Sequence, residues 1–324
     1  MHSLEKILLV MTVVLMMLTV CTYFERIWQQ PSRPPFPVAL RLFVTGQFPR
    51  ERRLGNAMFM FAAMIGIAKQ NNMMPIIDRS SSLVAVFRIK ETLVDDLPNA
   101  LMALSVAEYC EYDSRANTYD AATRHLLKAV RRTNVPSNIR LCGYFQSWRY
   151  FDEYADRVRQ NFEFQESISA AVDSFLSSGH RNVTRVGIHI RRGDMVSGYE
   201  SGYTVAPLNY FRSAMRYFTE RFERVEFIVC SDDITWCRSN LPNAINLSTT
   251  VEMRFSDATP PYVDLAILAR CDHIIMSVGT FGWWAAWLAN GTTIYYEDWP
   301  RPNTMLAGKV NKSDYFPSHW IAMQ

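Results

Sequence analysis

Two arginines and an aspartate follow an apolar segment in the middle of the chain, and they are residue types that bind anions. The segment 186–190 has strand-forming residues and runs directly into Arg191, Arg192 and Asp194. Guanidinium groups match phosphate oxygens in bidentate geometry, and ligands of open α/β sheets bind beyond the carboxyl ends of strands. The pattern predicts a diphosphate site in which Asp194 orients the arginines. Alternatively, one arginine simply pairs with Asp194 and the other is solvated.

A second candidate anion site is a turn that contains small residues. An apolar strand precedes Gly279, Thr280 and Phe281, and a helix rich in aromatic residues follows them. Small residues at such a turn let backbone N–H groups approach an anion, which the helix dipole also attracts. Thr280 is equally suited to be a plain N-cap. For the tryptophans of this helix, core packing is the favoured role: Trp283, Trp284 and Trp287.

A third polar segment, Ser231, Asp232 and Asp233, ends another strand and precedes a helix. Each of the three can cap that helix, and an aspartate here can also hydrogen-bond the base or ribose of a nucleotide. The sequence favours neither role. The chain has no HExxH, no paired CxxC and no Asp-x-Asp pattern, so no metal is expected.

Alternating strand and helix segments must position these residues. The segments 38–44, 73–77, 139–145, 183–190, 225–230, 273–277 and 292–296 are predicted strands, and 56–69, 149–178, 208–221, 262–269 and 281–289 are predicted helices. Such alternation predicts an α/β fold with a parallel sheet covered by helices on both faces.

Length and composition limit the domain organisation and the partners. The 324 residues include 34 basic and 31 acidic side chains, a net charge of +3, with 49% apolar residues. The balanced charge argues against nucleic-acid binding, and the apolar content argues against disorder. Two domains are expected at this length. A break at 179–184 places the boundary between residues 38–182 and 183–324.

The N-terminal region predicts a membrane anchor. Residues 7–24 carry no charge, and 18 helical residues span about 27 Å, which matches a thin bilayer. A cleaved signal peptide is the main alternative, but no good A-x-A-like site follows the apolar run. A buried helix is disfavoured by the proline-rich segment that follows. We therefore expect a tail at 1–6, an anchor at 7–24 and a stem at 25–37.

Glycosylation acceptors favour a lumenal body on the far side of this anchor. Four N-x-S/T triplets follow residues 7–24, at Asn182, Asn246, Asn290 and Asn311. Five cysteines lie in the body, so at least one is unpaired, and an ordinary buried thiol is an equally good interpretation for each of them: Cys110, Cys142, Cys230, Cys237 and Cys271.

Taken together, the motifs resemble those of the animal α-1,2-fucosyltransferase family. The family's HxRRxD motif is present at 189–194, and its IGTFGxWAAYL segment appears as VGTFGWWAAWL at 278–288. Its GRLGNQM motif appears as RRLGNAM at 52–58, and its GYFQS motif is intact at 143–147. These matches occur in the family's order between about residues 43 and 296.

The resemblance implies a type II Golgi membrane protein with two facing Rossmann-like domains, the GT-B arrangement. It implies transfer of L-fucose from GDP-fucose to a galactose-terminated glycan, with inversion, without a metal and without a further cofactor. On this basis Arg191, Arg192 and Asp194 are the expected catalytic residues. The expected donor-binding set adds the following residues: His189, Ser231, Asp232, Gly279, Thr280 and Phe281. The expected acceptor side comprises Arg53, Gly55 and Asn56.

Two departures from the family pattern fall on the acceptor side. Arg52 replaces a glycine and Ala57 replaces a glutamine, which leaves the acceptor open more than the donor. They also motivate the alternatives of a different acceptor and of a non-catalytic GDP- or glycan-binding descendant. The sequence does not identify a general base.

Overall fold

The structure is a computed structural model that describes residues 42–48, 53–102, 104–111, 116–126, 137–180, 182–245, 247–257 and 260–324. The predicted tail, anchor and stem, together with Arg52 and Asn246, lie outside the described residues. Within the described ranges, no helix combines the length and the apolar character that crossing a bilayer requires.

The first half of the described chain forms a parallel sheet. Its strands are β1 (Phe43–Gly46), β2 (Met74–Asp78), β3 (Thr92–Val94), β4 (Val106–Glu111) and β5 (Asn138–Gly143), in the order β3-β2-β1-β5-β4. The helices α1 (Leu54–Gln70), α2 (Ser82–Val86) and α3 (Leu97–Met102) alternate with these strands.

The second half forms another parallel sheet, in the order β11-β10-β9-β6-β7-β8. Its strands are β6 (Thr184–Ile190), β7 (Val225–Ser231), β8 (Val251–Phe255), β9 (His273–Met276), β10 (Thr293–Tyr296) and β11 (Ile321–Met323). The helices from residue 155 onward are α4 (Ala155–Asn161), α5 (Glu166–Ser177), α6 (Gly193–Ser197), α7 (Leu208–Thr219), α8 (Ile234–Asn240), α9 (Pro261–Ala269), α10 (Thr280–Ala289) and α11 (Lys312–Tyr315). The predicted α/β class with parallel sheets is confirmed.

The sequence missed four strands, and all four lie at sheet edges: β3, β4, β8 and β11. Central parallel strands are covered on both faces and therefore contain continuous apolar runs. Edge strands are partly exposed, and every residue of β8 is only half-buried. They lack the apolar run on which the prediction depended.

The single helix predicted at 149–178 is wrong. The segment contains two 3-10 turns followed by α4 and α5, with a break at 162–165. At this break, Phe164 forms an antiparallel bridge with Phe87, and the Gln165 amide donates to the carbonyl of Val86 at 2.9 Å. Backbone pairing with the 86–88 loop thus replaces helical hydrogen bonds.

An aromatic cluster packs α1 against α10. The ring of Phe59 contacts Trp283 at 4.5 Å, Trp284 at 5.0 Å and Tyr315 at 6.1 Å between centroids. Trp283 and Trp284 are fully buried and Trp287 is 9% exposed, which confirms their predicted packing role. The contact brings the first turns of α1 and α10 together.

Residues Arg41–Gln324 form one compact unit, and the division at 182–183 stays a prediction. In the sequence, the strands of the first sheet precede this division and those of the second sheet follow it. However, α5, which precedes it, packs against α9 of the second sheet. In addition, Arg254 Nη1 donates to the Phe175 carbonyl at 2.9 Å.

The cysteines of the body divide into one bridge and three buried thiols. Cys110 and Cys142 form a disulfide between the neighbouring strands β4 and β5. Cys230, Cys237 and Cys271 are free and buried. Burial raises the pKa of the Cys237 thiol to about 11 and that of Cys230 well above its ordinary value. These thiols remain protonated near neutral pH and are poor nucleophiles.

Candidate active site

A cavity of about 1080 Å³ lies where the carboxyl ends of β6, β7 and β9 meet the first turn of α1. Residues from both sheets line it. The predicted donor and acceptor residues in its wall are Arg53, Gly55, Asn56, His189, Arg191, Asp194, Ser231, Asp232, Gly279, Thr280 and Phe281. Arg192 is absent from this lining.

Asp194 links the two sides of the cavity. Its carboxylate accepts hydrogen bonds from Arg191 Nε and Nη2, both at 2.9 Å, and from Arg53 Nη1 at 2.8 Å. The backbone N–H of Arg191 donates to Ser277 Oγ at 2.9 Å, which fixes the end of β6 to β9. Asp194 therefore holds the Arg191 guanidinium at the cavity wall, as expected for a residue that orients it.

Arg192 turns away from Arg191, in contrast to the prediction that both guanidinium groups bind the diphosphate. Its Nε lies 3.1 Å from Asp233 Oδ2, and the guanidinium lies 4.0 Å over the Trp236 ring. Consecutive side chains at the end of a strand point to opposite faces. Of these two adjacent arginines, the structure therefore places Arg191 in the cavity wall and Arg192 outside it.

The three polar residues at the end of β7 have two different roles: one caps α8, and two line the cavity. Asp233 is the N-cap of α8, because its Oδ1 accepts from the Trp236 N–H at 3.1 Å. Ser231 Oγ accepts from the Asp233 N–H at 2.9 Å, and Asp232 Oδ1 accepts from the Arg192 N–H at 2.8 Å. Ser231 and Asp232 remain as wall residues.

The turn before α10 adopts a conformation that requires glycine. Gly279 has φ 89° and is the N-cap of α10, without a side-chain cap. Thr280 is therefore not the cap. Its hydroxyl donates instead to Asn56 Oδ1 at 2.9 Å. A Cβ at position 279 would also lie 3.2 Å from Arg191 Cδ, so glycine allows this side chain to lie against the turn.

A chain of amides continues from Thr280 into the first half. Gln146 Nε2 donates to Asn56 Oδ1 at 3.0 Å, and Asn117 Nδ2 donates to Gln146 Oε1 at 3.0 Å. Since Asn56 Oδ1 accepts two hydrogen bonds, Asn56 offers a ligand its Nδ2 donors. Gln146 is not among the predicted site residues, although its place in the GYFQS motif was a signal.

Gly55 allows the close contact between α1 and α10. A Cβ there would lie 2.6 Å from Thr280 Oγ1 and 2.8 Å from the Thr280 carbonyl carbon. The Gly55 carbonyl accepts from Trp284 Nε1 at 3.0 Å. Ala57 is buried and does not line the cavity, so its replacement of the family's glutamine changes the core of α1.

His189 is a neutral group in the cavity wall. Burial lowers its pKa to about 4, and the nearby Asp232 carboxylate acts in the opposite direction. Its Nδ1 has no hydrogen-bond partner among the described residues. The Phe281 ring lies 5.3 Å from the imidazole.

Other wall residues also had no predicted role, among them Asp264, Trp299 and Tyr315. Asp264 Oδ1 accepts from Ser256 Oγ at 2.5 Å. A carboxylate in the first turn of a helix has an ordinary structural role toward the dipole, so its sequence position gave no functional signal. Trp299 and Tyr315 lie in the C-terminal segment, outside the motifs.

The described side chains whose spacing would suit a metal ion do not line the cavity. In the described part of the chain, the one group with suitable spacing is Glu108 with Cys110 and Cys142. The two sulfurs form the disulfide, and thiolates are the form of cysteine that binds metals.

Three predicted glycosylation acceptors are exposed: Asn182, Asn290 and Asn311. Asn290 Oδ1 accepts from Arg159 Nη2 at 2.8 Å. Asn311 caps α11 through its Oδ1 and donates through Nδ2 to Asp314 Oδ2 at 2.8 Å. The side chains of Asn290 and Asn311 are therefore engaged in hydrogen bonds within the protein.

Comparison with known sequences assigns the family. The sequence profile described as glycosyl transferase family 11 matches residues 22–324. The chain belongs to glycosyl transferase family 11. It is 29% identical to galactoside α-(1,2)-fucosyltransferase 2 of Bos taurus, over 91% of this chain and 83% of the bovine protein. It is 30% identical to galactoside α-(1,2)-fucosyltransferase 1 of Saimiri sciureus, over 84% of this chain and 72% of that protein.

Solved fucosyltransferase structures share the fold. An Arabidopsis thaliana FUT1 variant in complex with GDP has a TM-score of 0.56 at 12% identity, over 80% of this chain and 71% of that chain. The apo form of POFUT1 has a TM-score of 0.53 at 11% identity, over 80% of this chain and 99% of that chain. This family 11 chain therefore has an α/β fold with parallel sheets, similar to these GT-B-like structures.

Proposed function

We propose that this family 11 chain transfers L-fucose from GDP-fucose to the 2-hydroxyl of a galactoside in a glycan, with inversion and without a metal ion. The observation that carries the proposal is the cavity. It has an arginine and a helix N-terminus on one side and a set of amides on the other. The names of its relatives, galactoside α-(1,2)-fucosyltransferases, support the transferred sugar, the acceptor and the linkage.

The second half binds the donor in this proposal. Arg191 and the first turn of α10 at Gly279–Phe281 hold the diphosphate, because guanidinium groups and helix N-termini both bind phosphate. His189, Ser231, Asp232 and Asp264 lie in the same wall and contact the nucleoside. Carboxylates accept hydrogen bonds from ribose hydroxyls and from base N–H groups. Arg192 supports this wall through Asp232 and Asp233.

Cleavage of the fucose–phosphate bond places negative charge on the departing GDP. Arg191 stabilises that charge more strongly in the transition state than in bound GDP-fucose, which lowers the barrier. Asp194 positions Arg191 and is itself held by Arg53. The acceptor oxygen attacks the fucose carbon on the face opposite the diphosphate as the bond to phosphate breaks, and its proton leaves to solvent, so the product has the inverted configuration.

The first half binds the acceptor in this proposal. Arg53, Gly55 and Asn56 form its edge of the cavity, and Asn56 Nδ2 donates to a sugar hydroxyl. Galactosides are neutral, and amides bind hydroxyl groups without the desolvation cost of a buried charge. Gln146 and Asn117 hold the Asn56 amide in place.

A direct assay tests the function. We expect purified full-length protein to convert GDP-fucose and a galactoside into GDP and a fucosylated product whose NMR spectrum shows an α-1,2 linkage. EDTA should leave the rate unchanged. GDP binding without transfer or donor hydrolysis across a broad galactoside panel would identify a non-catalytic descendant. Loss of activity in EDTA that returns with added metal would refute the metal-free mechanism.

We further propose that the chain is a type II Golgi membrane protein anchored through residues 7–24, with its body in the lumen. The Cys110–Cys142 disulfide supports an oxidising compartment, as do the exposed acceptors Asn182, Asn290 and Asn311. Glycosidase treatment of protein from intact cells should increase its gel mobility. Proteases added to sealed Golgi vesicles should leave the body intact. Digestion in sealed vesicles would place the body on the cytoplasmic side.

A further inference from the structure

Besides His189 Nδ1, two further buried polar groups in the cavity wall lack hydrogen-bond partners among the described residues, and both are donors on large aromatic side chains. They are Trp299 Nε1 and Tyr315 Oη. Both side chains line the cavity, with 6% and 1% of their surface exposed, and their ring centroids are 5.3 Å apart. Buried N–H and O–H groups are nearly always paired, so two unpaired donors side by side call for an explanation.

Other buried aromatic side chains with polar groups do find protein partners. Trp283 and Trp284 are fully buried, and their indole N–H groups donate to backbone carbonyls at 2.8 and 3.0 Å. Tyr210 Oη donates to the Met276 carbonyl at 2.6 Å. Tyr150 Oη donates to the Thr118 carbonyl at 3.3 Å. None of these four residues lines the cavity, so the contrast connects the unpaired donors with the cavity.

The pair lies beside the proposed diphosphate site. The Tyr315 carbonyl accepts from Trp283 Nε1, and Trp283 belongs to the first turn of α10. Burial raises the pKa of the Tyr315 phenol well above its ordinary value, while the nearby positive charge of Arg191 acts in the opposite direction. The phenol therefore stays protonated and remains a donor at neutral pH.

We propose that Tyr315 Oη and Trp299 Nε1 form a subsite that donates hydrogen bonds to hydroxyl groups of the fucosyl residue of the donor. The inference rests on the proposed function, because it assumes that the Arg191 side of the cavity holds the diphosphate. The fucosyl residue is joined directly to that diphosphate and must lie next to it. The aromatic rings supply an apolar surface for the sugar's C–H groups, and their polar atoms supply the donors.

Calorimetric titration of the full-length protein with GDP-fucose and with GDP tests this subsite. Tyr315→Phe removes the hydroxyl and keeps the ring. We expect the substitution to weaken GDP-fucose binding about 10-fold and to change GDP binding less than about twofold. The melting temperature of the unliganded variant should equal or exceed that of wild type, because no hydrogen bond within the free protein is lost.

Two substitutions serve as controls for buried hydroxyl groups. Thr293 Oγ1 is also buried and unpaired among the described residues, but Thr293 does not line the cavity. Thr293→Val should leave the affinities for both nucleotides unchanged. Tyr210→Phe removes a paired hydroxyl and should lower the melting temperature without changing the ratio of the two affinities.

Each other outcome refutes the subsite. Equal weakening of GDP and GDP-fucose by Tyr315→Phe would assign the tyrosine to the diphosphate, and unchanged binding of both would leave it without a ligand role. A lower melting temperature of the unliganded variant would reveal a partner within the free protein. A change confined to the acceptor KM would assign the pair to the acceptor. Failure of the wild type to bind either nucleotide would refute the proposed function itself, and the subsite with it.

Discussion

The two sides of the cavity differ in the chemistry of their side chains. The side formed by the second sheet has charged groups, among them Arg191, Asp194 and Asp232. The side formed by the first sheet has the linked amides of Asn56, Gln146 and Asn117, and Arg53 is its cationic contact with Asp194.

This difference matches the two proposed substrates. A diphosphate needs fixed positive charge, whereas a neutral sugar needs donors and acceptors in a fixed geometry. The HxRRxD motif on the charged side is intact, and Arg52 and Ala57 fall in the motif that leads into α1. Substitutions on the charged side should therefore change catalysis, and those on the amide side should change acceptor use.

Arg191→Ala should have the largest effect. Loss of a group that stabilises the departing diphosphate is expected to lower kcat about 100- to 1000-fold, which corresponds to about 3–4 kcal/mol. Arg192→Ala should lower it less than about 10-fold, because its guanidinium contacts Asp233 and Trp236. Steady-state kinetics with saturating acceptor measure both, and the exposed Arg212→Ala is the control. Equal losses at 191 and 192 would contradict the assignment of the diphosphate to Arg191.

The second-largest effect should come from His189, on the charged side, through the pH dependence of the free energy of unfolding. The unfolded chain binds a proton at this residue below about pH 6.5, whereas the folded protein does so only near the lowered pKa of about 4. The unfolded state thus binds more protons between these values, so stability falls as pH falls. The contribution of His189 amounts to about 3 kcal/mol at most.

Urea unfolding between pH 7.5 and 5 measures this contribution. His189→Gln should flatten the profile in that range, because glutamine does not titrate. Asn56→Ala should leave the slope unchanged, since amides do not titrate either. Parallel profiles for wild type and His189→Gln would contradict the buried neutral histidine.

Gly55→Ala should separate the two sides of the cavity. The new methyl group would meet backbone as well as side-chain atoms of Thr280, so α1 or α10 must shift. We expect a loss of about 1–3 kcal/mol in the free energy of unfolding, together with lower activity. Gly308→Ala is the matched control, because a Cβ there meets nothing within 4 Å. Similar melting curves for the two variants would show that the contact at Gly55 is not close.

Asn56→Ala should have the smallest effect, and a selective one. Loss of the Nδ2 donors is expected to raise the acceptor KM about 10-fold, or about 1.4 kcal/mol, with the Kd for GDP changed less than twofold. Gln146→Leu should raise the same KM by a smaller factor, because it only releases the Asn56 amide. Asn209→Ala, on the exposed face of α7, is the control. A larger effect on GDP than on acceptor would place Asn56 on the donor side.

The sequence by itself determined the α/β class, the central strands, the packing role of the tryptophans and the place of Arg191 and Gly279–Phe281 at strand ends. These features follow from local patterns, since a buried parallel strand needs a continuous apolar run and the residues after it lie at the edge of the sheet. The resemblance to the animal α-1,2-fucosyltransferases was likewise recognisable from four short motifs, and the match to glycosyl transferase family 11 confirms it.

Only the tertiary structure decided which arginine lines the cavity, which residue caps α8 and how Thr280 bonds to Asn56. It also showed the four edge strands, the break at 162–165, and the place of Gln146, Trp299 and Tyr315 in the cavity wall. The cap of α8 is a local contact, and Ser231, Asp232 and Asp233 were equally suited to it by residue type. The other features depend on contacts between residues far apart in the chain, and such contacts have no periodic pattern in the sequence.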